Sequence, residues 1–190
     1  MRLFVAVDPS DEVRAALGRA IEAGRVFAPD AKWQREEAIH LTLAFLGNVP
    51  DEREPAIEAA LRQVAGRHAP LALRVGEVGS FGSLHRPRVL WVGLDGALAG
   101  LTALKEDVEA ALAPLGYVPE ERAFRPHLTL ARAREPRGDA RLAEARAGLG
   151  RSFSAGPAAD FTAGDLILYQ SHLSPHGAKY TPRARLPLAG

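Results

Sequence analysis

Cysteine is absent from the 190-residue chain. Disulfides, zinc–thiolate sites and cysteine nucleophiles are therefore excluded. Lysine is nearly absent, and no phosphate-cradling P-loop or adenylation lysine motif occurs, so chemistry driven by ATP has no visible footing. No apolar stretch approaches the 18 residues of a membrane span, and the apolar start at residues 1–8 has no small-residue cleavage site behind it. A cytoplasmic protein with no membrane partner is the expectation. Excess charge is also missing. The formal net charge is +1 with 25% charged residues, so the molecule is not a polycation that coats nucleic acid by charge alone. Any RNA it binds must be held by a local basic cleft and a specific end.

What is present is enough apolar material for a core, at 47% of residues. The length suits one domain spanning 1–190, or two small lobes sharing a core. Residues 2–7 read as a buried strand. Asp8 and Pro9 suit a helix start, with Asp8 as the cap, and Val13, Ala16, Leu17, Ala20 and Ile21 follow at helical spacing, giving a helix over 9–26. A strand over 39–46, a helix over 52–67 and strands over 70–78 and 88–94 come next. The plan then repeats: a helix over 97–115 stopped at Gly116, a strand over 125–132, a helix over 139–149, and strands over 153–161, 164–171 and 179–187. No linker divides the halves. Strands mixed with helices predict an α+β fold.

The feature that carries chemistry is one tetrapeptide present twice, His40-Leu41-Thr42-Leu43 and His127-Leu128-Thr129-Leu130, 87 positions apart. A strand sends successive side chains to opposite faces. Each Leu pair therefore faces the core and each His–Thr pair stands on the other face. A lone His beside a Thr on a strand is most often a satisfied surface group, but two identical copies are hard to attribute to chance. A duplicated structural strand would keep its Leu residues more readily than its His and Thr. Two such units facing one another supply two imidazoles and two hydroxyls, which suits a phosphodiester. One imidazole activates the attacking oxygen and the other protonates the leaving oxygen, while hydroxyls hold the non-bridging oxygens. No metal and no cofactor are called for, and no His-Glu-x-x-His cluster is present.

The chain resembles the two-histidine (2H) phosphoesterase superfamily, and within it the RNA 2′,3′-cyclic phosphodiesterases, also called 2′-5′ RNA ligases. The resemblance rests on the opening strand Arg2-Leu3-Phe4-Val5-Ala6-Val7 and on Trp33 followed by His40-Leu41-Thr42-Leu43-Ala44-Phe45-Leu46-Gly47. It continues through Phe124-Arg125-Pro126-His127-Leu128-Thr129-Leu130-Ala131-Arg132 and the tail segments Leu168-Tyr169-Gln170-Ser171 and Tyr180-Thr181-Pro182. It implies a two-lobed duplicated fold, with antiparallel sheets flanking a central groove and helices outside. It also implies that His40 is the general acid and His127 the general base in opening an RNA 2′,3′-cyclic phosphate to a 2′-phosphomonoester. The implied partner is RNA with that terminus, tRNA fragments among the candidates, bound by a monomer. ATP-independent 2′-5′ ligation by reversal of the same chemistry, and non-catalytic binding of RNA ends, are the alternative readings.

Arg132 is expected at the phosphate by the resemblance, with Thr42 and Thr129, although strict alternation from His127 points Arg132 away. Arg125 lies on the histidine face by parity. Phe45, Trp33 and Tyr180 are candidates to stack on unpaired bases, with core packing an equal alternative for Phe45. The loop His85-Arg86-Pro87-Arg88 reads as a solvated rim. His68 is expected to meet helix C-terminal carbonyls, and His172 and His176 are given no role.

Overall fold

The computed structural model describes residues 1–190 except 121, 153–158 and 175–176. The strands are β1 (Arg2–Val7), β2 (Lys32–Trp33), β3 (Leu41–Asn48), β4 (Leu71–Gly82), β5 (Pro87–Gly96), β6 (His127–Arg132), β7 (Asp160–Ala163), β8 (Asp165–Ser174) and β9 (Gly177–Pro187). The helices are α1 (Asp11–Arg25), α2 (Glu54–Ala65), α3 (Leu98–Leu112) and α4 (Ala140–Ser152). The expected α+β class is what forms. Of the strand expected over 153–161, residues 153–158 lie outside the described residues and β7 begins at Asp160.

Helix α1 starts later than the sequence suggests. Its cap is Ser10, whose hydroxyl accepts from the Val13 amide at 3.3 Å, and Asp11 and Glu12 occupy the first turn where the helix dipole favours anions. Asp8 is not the cap and is available to other partners. Buried Val13, Ala16, Leu17, Ala20 and Ile21 line one stripe of α1, as their spacing predicts. Gly116 closes the turn after α3 with φ of 85°, a left-handed conformation that Gly adopts without strain. Among the described residues no helix is long and apolar enough to cross a membrane.

The described residues form two antiparallel sheets, in the orders β3-β1-β8-β9 and β2-β6-β5-β4-β7. The sequence repeat is visible in the register. Val7 pairs with Leu41 and Ala6 with Thr42 in the first sheet; Val92 pairs with Leu128 and Trp91 with Thr129 in the second. Thus β1, α1 and β3 correspond to β5, α3 and β6. The third strand of each repeat changes sheets. After α2 the chain enters β4, which pairs with β5, and after α4 it reaches β8, which pairs with β1. Each half of the sequence completes the sheet of the other, so the halves are interleaved. The helices sit in pairs, α1 beside α4 and α2 beside α3. A continuous apolar cluster runs from Leu3 and Val5 through Leu90, Leu104 and Leu128 to Leu168 and Leu186, and binds both sheets to the helices.

The segment 32–41 brings the two motifs together. Lys32 and Trp33 pair with Arg132 and Ala131, and the Gln34 amide donates to the Leu130 carbonyl at 2.8 Å. A single turn at Glu36–Ala38 follows, and the chain then enters β3. One short stretch is thus stitched to β6 at one end and carries His40 at the other.

Candidate active site

Each histidine is fixed in the same way. His40 Nδ1 lies 2.8 Å from the Ala38 carbonyl oxygen, and His127 Nδ1 lies 2.6 Å from that of Arg125. A carbonyl oxygen only accepts, so in both rings Nδ1 carries the hydrogen and donates. The neutral tautomer is thereby set, and Nε2 is left as the working nitrogen of each imidazole. In both cases the partner is the residue two positions earlier.

Aromatic rings hold the imidazoles from behind. His40 lies 4.7 Å from the Phe4 ring and meets Tyr180 edge-on at 4.9 Å. His127 meets Phe81 edge-on at 4.8 Å, with Trp91 at 6.0 Å. These neighbours come from other strands, and the pairing that delivers them is non-local. Sequence reasoning gives Phe4, Phe81, Trp91 and Tyr169 no part in the site.

Burial lowers the proton affinity of both histidines. His40 is pushed down to about 4, with the Ala38 carbonyl and the Asp8 carboxylate opposing the shift and the Arg14 and Arg132 cations adding to it. His127 is also lowered by burial, opposed by its bond to the Arg125 carbonyl and reinforced by Arg132. Both rings are therefore neutral at pH 7 in the free protein, His40 the more firmly. Among the described residues Arg132 is the cation that acts on both.

The position of Arg132 corrects the alternation argument. Leu128, Leu130 and Ala131 are all buried, whereas His127 and Thr129 are partly exposed and Arg132 is exposed. The register slips between Leu90 and Trp91, so Leu130 is an extra residue in β6. This bulge restores Arg132 to the histidine face. Strand β3 has the matching slip, with Thr42 opposite Ala6 and Ala44 opposite Val5. Leu43 and Ala44 are both buried and Phe45 is 51% exposed, on the histidine face and not in the core. Phe45 and Arg132 are thus equivalent places in the two repeats. Arg132 has no ion-pair partner among the described residues, and neither the Thr42 nor the Thr129 hydroxyl has a hydrogen-bond partner there.

The other candidates divide. Tyr180 lies at the site but with its ring against His40 and Phe4. Arg125 precedes β6, so strand parity does not extend to it; it is exposed, and its established contact is the carbonyl that holds His127. Trp33 is not a stacking platform. It is 8% exposed, donates from Nε1 to the Ala28 carbonyl at 2.8 Å, and fills the space left by Gly24, where a Cβ would fall 2.2 Å from the ring. Trp33→Ala is expected to cost about 3–5 kcal/mol in chemical denaturation and to leave the two imidazole titrations, followed by NMR, unchanged. Unaltered stability would mean that the ring is not a packing element. His68 reaches across to Asp107 of α3 at 2.9 Å and does not meet the helix carbonyls. In the loop, Arg86 donates to the Gly138 carbonyl. His172 is exposed on β8, and His176 lies outside the described residues. Among the described residues no three His, Asp or Glu side chains converge as a metal site would require. Two surface concavities, one over Gly18 and Arg35 and one over Asp8 and Arg185, are lined by neither imidazole.

Residues 3–174 match the sequence model of the 2′-5′ RNA ligase superfamily. The chain is 34% identical over 98% of its length to a Geobacillus stearothermophilus protein named RNA 2′,3′-cyclic phosphodiesterase, and spans 57% of that protein. An Archaeoglobus fulgidus protein of the same name is 32% identical, over 95% of this chain and 96% of its own. The crystal structure of TT0787 of Thermus thermophilus superposes with a TM-score of 0.78 at 29% identity, covering 100% of this chain and 99% of that one. The chain belongs to the 2′-5′ RNA ligase superfamily.

Proposed function

We propose that the protein hydrolyses RNA 2′,3′-cyclic phosphodiester ends to 2′-phosphomonoesters by general acid–base catalysis with two histidines and no metal. The observation that carries this reading is the matched pair of imidazoles, each with Nδ1 tied to a carbonyl and Nε2 left for chemistry, with Arg132 acting on both. Neutral His127 takes a proton from water as it attacks phosphorus. His40, protonated, gives its proton to the leaving ribose oxygen. Thr42, Thr129 and Arg132 hold the non-bridging oxygens as charge develops. Exposed Phe45, with Arg125 and Tyr180 at the rim, is assigned to the terminal nucleotide. The relatives' names supply the substrate class; the division of roles between the histidines comes from the family resemblance.

The low proton affinity of His40 in the free protein fits this division once substrate binds. A bound phosphodiester carries a negative charge, which favours the imidazolium form of a nearby histidine. A more acidic imidazolium is also the better proton donor. The protein is expected to act as a cytoplasmic monomer on RNA ends, tRNA fragments among them.

A short RNA ending in a 2′,3′-cyclic phosphate tests the proposal. The expected product is a 2′-phosphate, formed at the same rate in EDTA. A 3′-phosphate would reverse the leaving-group assignment, and a large loss of rate in EDTA would implicate a metal. A product joined to a second RNA bearing a 5′-hydroxyl, in preference to hydrolysis, would favour the ligase reading.

A further inference from the structure

The two motifs are matched almost residue for residue, yet their surroundings differ in one concerted way. Continuing the β1–β3 register one step beyond Val7 and Leu41 puts Asp8 across from His40. The equivalent place across from His127 is Gly93. Tyr169 of β8, paired with Phe4, corresponds to Phe81 of β4, paired with Val89 opposite Arg132. In the first repeat these two places hold a carboxylate and a phenol that bond to each other, Tyr169 donating to Asp8 Oδ2 at 2.8 Å. In the second repeat both groups are missing together.

Asp8 is held firmly. Oδ2 also receives Arg14 at 2.8 Å and Arg185 at 3.5 Å, while Oδ1 is buried with no partner among the described residues. Asp8 is displaced from the helix cap by Ser10 and is not needed there. The charged groups acting on His40 are Asp8 beyond β1, Arg14 of α1 and Arg132 of β6. The flanking phenols are Tyr169 and Tyr180; burial first, and then Asp8, push Tyr169 up to about 12, so it stays neutral. Among the described residues Asp8 is the anion set against two cations and burial.

We propose that Asp8 is a positioning residue, clamped by Tyr169 and Arg14, that keeps His40 able to take up the proton it later donates, and that the lack of a counterpart at Gly93 leaves His127 as the base. This rests on the activity proposed above. The productive form has His40 protonated and His127 neutral. Removing the Asp8 charge makes that form rarer at every pH above the His40 titration. It also moves that titration to lower pH.

The test measures kcat/KM from pH 4 to 9 on RNA ending in a 2′,3′-cyclic phosphate, with His40 and His127 titrated by NMR, for wild type, Asp8→Asn and Tyr169→Phe. In Asp8→Asn the His40 titration and the acid limb should move to lower pH together. The plateau should fall about tenfold for each unit of that shift, and the His127 limb should stay in place. Tyr169→Phe should move the same limb the same way by less. A uniform loss with an unmoved His40 titration would make Asp8 merely structural and overturn the proposal. A shifted limb with an unchanged plateau would overturn it differently, because His40 would then act neutral, as the base. If wild type opens no cyclic phosphate, the proposed activity fails on its own, and the NMR titration still decides whether Asp8 supports the His40 imidazolium.

Discussion

Replacing His127 with alanine is expected to lower kcat on a 2′,3′-cyclic phosphate by roughly 10²–10⁴-fold, and His40→Ala by a similar factor. Each imidazole is one proton-transfer partner, and each is tied at Nδ1 so that its Nε2 cannot be replaced by a ring flip. The double variant should be little worse than either single one, because the two groups act in one transition state and their losses do not add. Stability should change far less than turnover. Neither ring is fully buried, and the aromatic neighbours Phe4 and Phe81 remain to fill the space. Rapid-quench turnover alongside chemical denaturation separates the two effects. Wild-type turnover in either single variant would remove that histidine from the mechanism. Loss of rate matched by loss of folded protein would reduce the histidine to a packing role.

The histidine and threonine places are legible because a strand has a period of two and the tetrapeptide occurs twice. Alternation puts Leu41, Leu43, Leu128 and Leu130 in the core, where they are. It fails one residue later, at Ala44 and Ala131. In both copies two apolar residues follow in succession, Leu43-Ala44 and Leu130-Ala131, and this break in alternation marks the bulge that turns Phe45 and Arg132 onto the histidine face. The signal is present in the sequence, but a small apolar residue in a strand also fits unbroken pairing. Trp33 misleads for a different reason. Its flanks, Lys32 and Gln34, are polar, and only the absent side chain of Gly24, nine residues earlier on α1, gives the ring a buried seat. The exchange of β4 and β8 between sheets leaves no local trace, since register between distant strands is set by packing. The ring contacts around each histidine depend on that exchange and are hidden with it.

The kcat/KM of the wild-type protein is expected to trace a bell displaced to the acid side of neutrality. This quantity reports the free protein, in which burial holds His40 down to about 4 and lowers His127 from its ordinary 6.5. The productive form needs one proton between the two rings, so the rate should be level between these titrations. It should fall about tenfold per pH unit above the upper one and again below the lower one. By about pH 8 the loss from the plateau should exceed roughly tenfold. The kcat profile should lie at higher pH, because the bound phosphodiester anion favours imidazolium. Stability moves in the same window with a definite sign. A histidine whose folded pKa is depressed leaves the unfolded chain binding more protons below 6.5, so its contribution is whole above 6.5 and is lost as pH falls toward about 4. Thermal melts across pH 4–7 therefore accompany the kinetics, and His40→Ala should flatten their pH dependence. Arg132→Gln provides the internal check. Removing the cation that lowers both rings should move both limbs of the bell to higher pH while kcat drops by about 10²-fold, the scale for one lost donor to the developing charge. A profile flat from pH 5 to 9 would mean that neither imidazole sets the rate, and an Arg132→Gln bell with unmoved limbs would remove Arg132 from the titration of both rings.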